Sequence, residues 1–141
     1  MSDTVMRGIA SELASDDRRA GLVGELGLPF MAALPIPLYW RVLVLPREAE
    51  QVSKGGIVLA DDTRTAQQYQ CYVGRILATG GEAFQSERFR REKRLPGIGD
   101  WVAYGRYAGQ RMEYLGKLLL IVNDDELLTV VPDPTTLRIY V

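Results

Sequence analysis

Lys54-Gly55-Gly56-Ile57-Val58-Leu59 is the stretch on which the interpretation of this chain depends. Its two glycines lack a Cβ atom, so nothing local restricts their backbone dihedral angles. Three aliphatic residues follow them, and a polar run of mixed charge occupies residues 60–68. This pattern is typical either of the first turn of a buried strand or of an apolar anchor offered to another protein.

The overall composition is that of a soluble globular protein. The chain has 141 residues, of which 47% are hydrophobic and 25% charged, enough for one domain with a single core. A net charge of −1 provides no general attraction to nucleic acid or to an anionic membrane. No apolar run approaches the roughly 20 residues that span a bilayer, and the N-terminus lacks the pattern of a signal peptide. We therefore expect a cytosolic protein without a membrane partner.

Two residue counts argue against catalysis. The chain has no histidine, which removes Ser-His-Asp and Cys-His chemistry and the commonest transition-metal ligand. Its single cysteine, Cys71, excludes an intrachain disulfide and, within a strand pattern, favours a buried apolar residue over a nucleophile. Asp100, Asp124, Asp125 and Glu126 can in principle bind a divalent metal, but consecutive acids in a turn are more often caps. We expect no enzyme: no catalytic residue, no metal site and no cofactor.

Residues 1–34 are predicted to be an N-terminal helical arm with a linker. Apolar residues recur at helical spacing over 5–13 and again over 22–26, and Gly27 is placed to end the second helix. We expect this arm to pack on its own domain or on a neighbour. A linker follows, because three prolines disfavour a helix: Pro29, Pro35 and Pro37.

From residue 38 onward the sequence pattern becomes strand-like. The clearest strands are residues 38–45, stopped by Pro46, and residues 70–79, closed by two glycines. Four more short strands are predicted at 101–104, 110–114, 117–122 and 127–131, and Gly116 supplies the positive φ of one hairpin. Short strands with glycine-rich turns and no βαβ alternation favour an all-β antiparallel barrel at 35–131. Residues 132–141 then form a C-terminal tail.

Residues 82–94 interrupt the strand pattern with five basic and three acidic groups, together with Phe84 and Phe89. A basic stretch with aromatic residues can form a nucleic-acid patch. The interpretation we favour is an exposed excursion whose phenylalanines pack onto the body of the domain. A nucleic-acid partner is therefore not expected.

Five pieces of the sequence, taken in chain order, match the pattern of one family. They are Pro37 to Leu45 with a charged run and Gly55 to Leu59 after it, Gly74 to Gly80, Gly99 to Val102, Tyr107-Ala108-Gly109, and Asn123 to Leu128. Together they resemble the GroES-type co-chaperonins, the small lid proteins of the chaperonin ring, over residues 35–131. That family has no arm like residues 1–34, and residues 82–94 stand in place of its roof hairpin. At Gly81-Glu82-Ala83-Phe84 and Glu87-Arg88-Phe89 the chain resembles co-chaperonin-like proteins encoded by bacteriophages more than the bacterial housekeeping lid.

The resemblance implies a small GroES-like barrel that forms a homo-oligomeric ring and assists protein folding. It implies that a mobile loop binds a GroEL-like chaperonin ring in the cytoplasm (the host cytoplasm if the chain is phage-encoded). The loop residues implied to bind this partner are Gly55, Gly56, Ile57, Val58 and Leu59. The alternative is a virion structural protein, capsid-associated or decorating, that reuses the barrel. Its partners would be viral structural proteins, with the arm and tail as attachments.

Overall fold

The computed structural model describes residues 17–47 and 72–137, and the fold is given for these residues. Residues 17–26 are helical and form α1, and α2 is Leu28–Ala32. The strands are β1 (Arg41–Pro46), β2 (Val73–Thr79), β3 (Trp101–Tyr104), β4 (Gln110–Tyr114), β5 (Lys117–Asn123) and β6 (Leu127–Val130). Short 3-10 helices occur at Glu87–Phe89, Asp124–Glu126 and Pro134–Thr136. Over these residues no helix has the length and hydrophobicity needed to cross a membrane.

The strands form one antiparallel sheet in the order β4-β5-β1-β2-β3-β6. Strand β1 lies near the centre, with β5 on one side and β2 on the other. Its register places Val42 opposite Val122 of β5 and opposite Thr79 of β2. The arrangement confirms the predicted all-β fold of antiparallel strands, with helical residues ahead of it.

Strand β1 is buried on both of its faces. Because successive residues of a strand face opposite sides, Val42 and Val44 enter one core and Leu43 enters another. All three are fully buried. The first core contains Val42, Val44, Tyr72, Ile76, Ala83, Val102, Tyr104, Leu120 and Val122. The second core contains Leu43, Leu77 and Leu119 of the sheet with Leu22, Phe30 and Met31 of the helices.

The two helices cover the second core and are fastened at its rim. The hydroxyl of Tyr114 donates a hydrogen bond of 2.8 Å to the carbonyl of Phe30. The two rings also meet edge to face, with centroids 5.2 Å apart. The carboxylate of Glu25 in α1 pairs with the guanidinium of Arg75 in β2. That hydrogen bond holds the pKa of Glu25 below its usual value. Residues 17–32 therefore pack on their own domain.

The helical residues differ from the sequence prediction at one proline. Helix α1 is followed, as predicted, by Gly27, whose φ of 93° lies in the left-handed region. The prediction that Pro29 belongs to a linker is wrong, because Pro29 lies in the first turn of α2. A proline is tolerated there, since its missing N–H has no intrahelical partner in any case. Burial of Phe30 and Met31 stabilises this short helix.

Strand β1 begins three residues later than predicted, at Arg41 rather than at residue 38. Tyr39 has a φ of 58°, which is a turn conformation and not an extended one. Its carbonyl accepts a hydrogen bond of 2.9 Å from the N–H of Glu82. A Cβ atom on Gly80 would lie 2.2 Å from the same carbonyl oxygen. Gly80 therefore makes room for a turn that leaves Tyr39 and Trp40 exposed.

Candidate functional site

The predicted partner-binding residues Gly55, Gly56, Ile57, Val58 and Leu59 lie outside the residues that the structure describes. The structure describes the residues on both sides of the segment that contains them, residues 48–71. Pro46 at the end of β1 lies opposite Gly74 of β2. The N–H of Arg47 donates a hydrogen bond of 2.7 Å to the carbonyl of Val73. We call Pro46, Arg47, Val73 and Gly74 the stem.

The stem is held tightly at Gly74. A Cβ atom at this position would lie 2.4 Å from Cγ1 of Val44 and 2.9 Å from the carbonyl oxygen of Leu45. Both distances are far below van der Waals contact, so only glycine fits between the two strands. Val73 beside it is fully buried. Segment 48–71 therefore leaves and re-enters the sheet at one fixed, densely packed point.

The side chain of Arg47 connects the stem to the C-terminal tail. A guanidinium N–H of Arg47, on Nη1, donates a hydrogen bond to the carbonyl of Pro134. The two residues are 87 positions apart in the chain. In the sequence Arg47 begins a charged run, and no local pattern there indicates a partner so distant.

The basic segment 82–94 packs onto the body of the domain. Phe84 contacts the first core, and its ring meets that of Phe89 edge to face, with centroids 5.4 Å apart. This contact agrees with the interpretation favoured from the sequence. The segment nevertheless has no regular strand, and Glu87–Phe89 forms a single 3-10 turn.

Acidic residues of neighbouring turns neutralise part of the positive charge of segment 82–94. Arg88 pairs with Asp125 at 2.8 Å. Arg94 donates to both carboxylate oxygens of Asp100, each at 3.1 Å. These pairs make the segment a poorer polyanion site than its sequence alone indicates.

Three of the four carboxylates considered as metal ligands accept hydrogen bonds from backbone N–H groups. Asp100 and Asp124 each accept a hydrogen bond from a backbone N–H. Glu126 accepts two, from Asn123 at 2.9 Å and from Gly109 at 3.0 Å. Within residues 17–47 and 72–137, no group of three or more histidine, cysteine or acidic residues is arranged to hold a metal ion.

Comparison with known proteins gives consistent matches over the sheet. A family model described as "Chaperonin 10 Kd subunit" matches residues 35–131. The co-chaperonin GroES of Phocaeicola vulgatus is 35% identical over 94 residues, which cover 67% of this chain and 93% of that protein. The co-chaperonin GroES of Lacticaseibacillus zeae is 34% identical over 97 residues, covering 67% and 96%. That of Gemmatimonas aurantiaca is 32% identical over 98 residues, covering 67% and 92%.

Proposed function

The chain belongs to the chaperonin 10 Kd subunit family, and on this premise we propose that it is a co-chaperonin that binds a chaperonin ring through segment 48–71. The relatives reported above carry the name co-chaperonin GroES. The family match at 35–131 includes both strands of the stem and the whole segment between them. We propose Gly55, Gly56, Ile57, Val58 and Leu59 as the residues that contact the chaperonin.

The geometry of the stem is the observation that carries this proposal. Segment 48–71 begins and ends at the hydrogen-bonded pair of Arg47 and Val73, between strands that are buried in the core. A segment of 24 residues whose flanking residues are adjacent in the sheet has the length to reach a partner without disturbing the strands. A partner bound by this segment is thereby linked to the whole domain.

The chemistry of the segment suits a reversible anchor. Ile57, Val58 and Leu59 are aliphatic, and burying one such side chain in an apolar groove contributes about 1.5 to 3 kcal/mol. Gly55 and Gly56 let the backbone adapt to the groove. Ordering a loop on binding costs conformational entropy, so one loop binds weakly. Several such segments on one homo-oligomeric ring bind together, so the ring as a whole binds tightly while each single contact stays weak and reversible.

The test is Leu59→Asp, which places a charge where the proposal requires an apolar contact. We expect this variant to lose chaperonin binding in a pull-down with nucleotide present. Native mass spectrometry should show the same oligomer as the unaltered protein. The matched control is Leu115→Asp, at an exposed position of the β4–β5 turn, which should bind normally. Undiminished binding by Leu59→Asp would overturn the proposal.

A further inference from the structure

The C-terminal tail is one of the two described segments that the family match leaves out. The match ends at residue 131, yet residues 132–137 are ordered against the sheet. Leu137 packs on Val73, Ala103 and Val131. Val73 belongs to the stem, so the tail lies against the base of segment 48–71.

The tail is built to hold one carbonyl group in place. Asp133 caps the 3-10 helix Pro134–Thr136, since its Oδ1 accepts hydrogen bonds from the Thr135 N–H at 3.0 Å and from the Thr135 hydroxyl at 2.6 Å. The hydroxyl of Thr136 donates to the Asp133 carbonyl at 2.8 Å. The carbonyl of Pro134 accepts a hydrogen bond of 3.4 Å from the Leu137 N–H, which closes this turn and holds the carbonyl in place.

Arg47 links the Pro134 carbonyl to the stem. Its guanidinium donates to the Pro134 carbonyl, while its backbone N–H is bonded to Val73. Its buried Nε atom has no hydrogen-bond partner among the residues that the structure describes, and its Nη1 atom is the one that donates to Pro134. Arg47 is also the residue from which segment 48–71 departs.

We propose that the C-terminal tail is a positioning element for segment 48–71 and acts through Arg47. The inference rests on the proposed function, because it gives the direction of that segment a consequence for binding. If the stem holds segment 48–71 in fewer conformations before binding, less conformational entropy is lost when the segment docks on the chaperonin. Releasing Arg47 should therefore weaken chaperonin binding by the folded protein. Arg47 is a positioning residue and needs no contact with the chaperonin.

A double-mutant cycle in the full chain tests this coupling. Arg47→Met removes the donor, and Asp133→Ala removes the cap that fixes the acceptor. Each variant should bind the chaperonin about tenfold more weakly, and the double variant should be no weaker than either one. In the free protein, hydrogen exchange of the Arg47 amide should rise about tenfold in all three. Arg91→Met, which removes an exposed arginine of segment 82–94, should change neither quantity.

The readouts separate this inference from the function on which it rests. A purely structural role for Arg47 would lower the unfolding midpoint and leave the affinity of the folded protein unchanged, which would overturn the inference. Additive effects in the cycle would overturn it too. If Arg47→Met does not fold, Arg47→Ala, whose shorter side chain also lacks a donor, replaces it in the same cycle. If the unaltered protein does not bind the chaperonin, the proposed function fails, while the exchange cycle still tests the link between tail and stem.

Discussion

The carboxylate of Asp124 accepts a hydrogen bond of 2.9 Å from the backbone N–H of Phe84, although the two residues lie 40 positions apart. Asp124 is the one buried charged side chain among the described residues. Phe84 has a φ of 61°, a conformation that costs a non-glycine residue about 1 to 2 kcal/mol. The bond from Asp124 and the packing of the Phe84 ring on the first core offset that cost. Segment 82–94 is therefore attached to the turn that precedes β6.

Asp124→Ala should destabilise the domain by about 1 to 3 kcal/mol, because it leaves the N–H of Phe84 without its acceptor. Urea unfolding measures this loss, and hydrogen exchange should locate it in segment 82–94. Asp125→Ala is the matched control. Its ion pair with Arg88 is solvent-exposed, so we expect a change within about 0.5 kcal/mol. Equal effects from the two variants would contradict the role given to Asp124.

Tyr114→Phe should loosen α2 without disturbing the sheet. The substitution keeps the ring that meets Phe30 but removes the hydroxyl that donates to the Phe30 carbonyl. We expect a loss of about 1 kcal/mol in the free energy of unfolding. Amide exchange in residues 17–32 should also become faster. Tyr107→Phe alters a tyrosine that is 89% exposed, so its stability should stay unchanged; a similar loss there would argue against the Tyr114 hydroxyl as the cause.

Gly74→Ala should force β1 and β2 apart at the stem. Its methyl group would overlap Cγ1 of Val44 and the backbone of Leu45. Overpacking of this kind costs about 1 to 3 kcal/mol. Thermal unfolding measures it, with Gly105→Ala as control, because nothing lies within 4 Å of a Cβ atom there. A Gly74→Ala protein as stable as the control would show that the strands can separate freely.

The ion pair of Glu25 and Arg75 should stabilise the fold only above acidic pH. The pKa of Glu25 is lowered from 4.5 by the hydrogen bond from Arg75. The stabilisation is therefore present above that value and is lost as the pH falls through the lower folded pKa. Because Glu25 is 55% exposed, we expect an effect below about 1 kcal/mol.

The measurement compares the unfolding midpoints of the unaltered protein and Glu25→Gln across a pH series. Their difference should be largest near neutral pH and should vanish in acid. Arg75 keeps its hydrogen bond to the carbonyl of Gly99 in the variant, so the variant changes only the contact between residues 25 and 75. A difference that stays constant at every pH would exclude the carboxylate charge as its source.

Local patterns predicted much of the sheet correctly. The alternating apolar residues of β1 and the hairpin at Gly116 depend on neighbouring residues only. Gly116 has the expected positive φ of 78°, and Leu115 before it has a φ of 50°. Helix α1 also ends where Gly27 was expected to end it. These features are determined by residues a few positions apart, so the local pattern of the sequence is enough to predict them.

Contacts between distant residues were not predictable in the same way. Tyr39 and Trp40 have strand-forming side chains, yet hydrogen bonds from residues 82 and 124 hold them in a turn. The pairing of Arg47 with Pro134 has no local signal at all. The binding residues 55–59 were identified through a family resemblance and through their composition, and they stay a prediction.

The packing of α1 and α2 on the sheet has a consequence for folding during translation. Residues 17–32 are translated before Tyr114 and Leu119, on which they pack. The apolar side of α1 and α2 therefore stays uncovered until β4 and β5 have been translated. Strand β1 likewise needs β5 to complete its pairing. Vectorial synthesis thus presents these helices before the strands on which they pack.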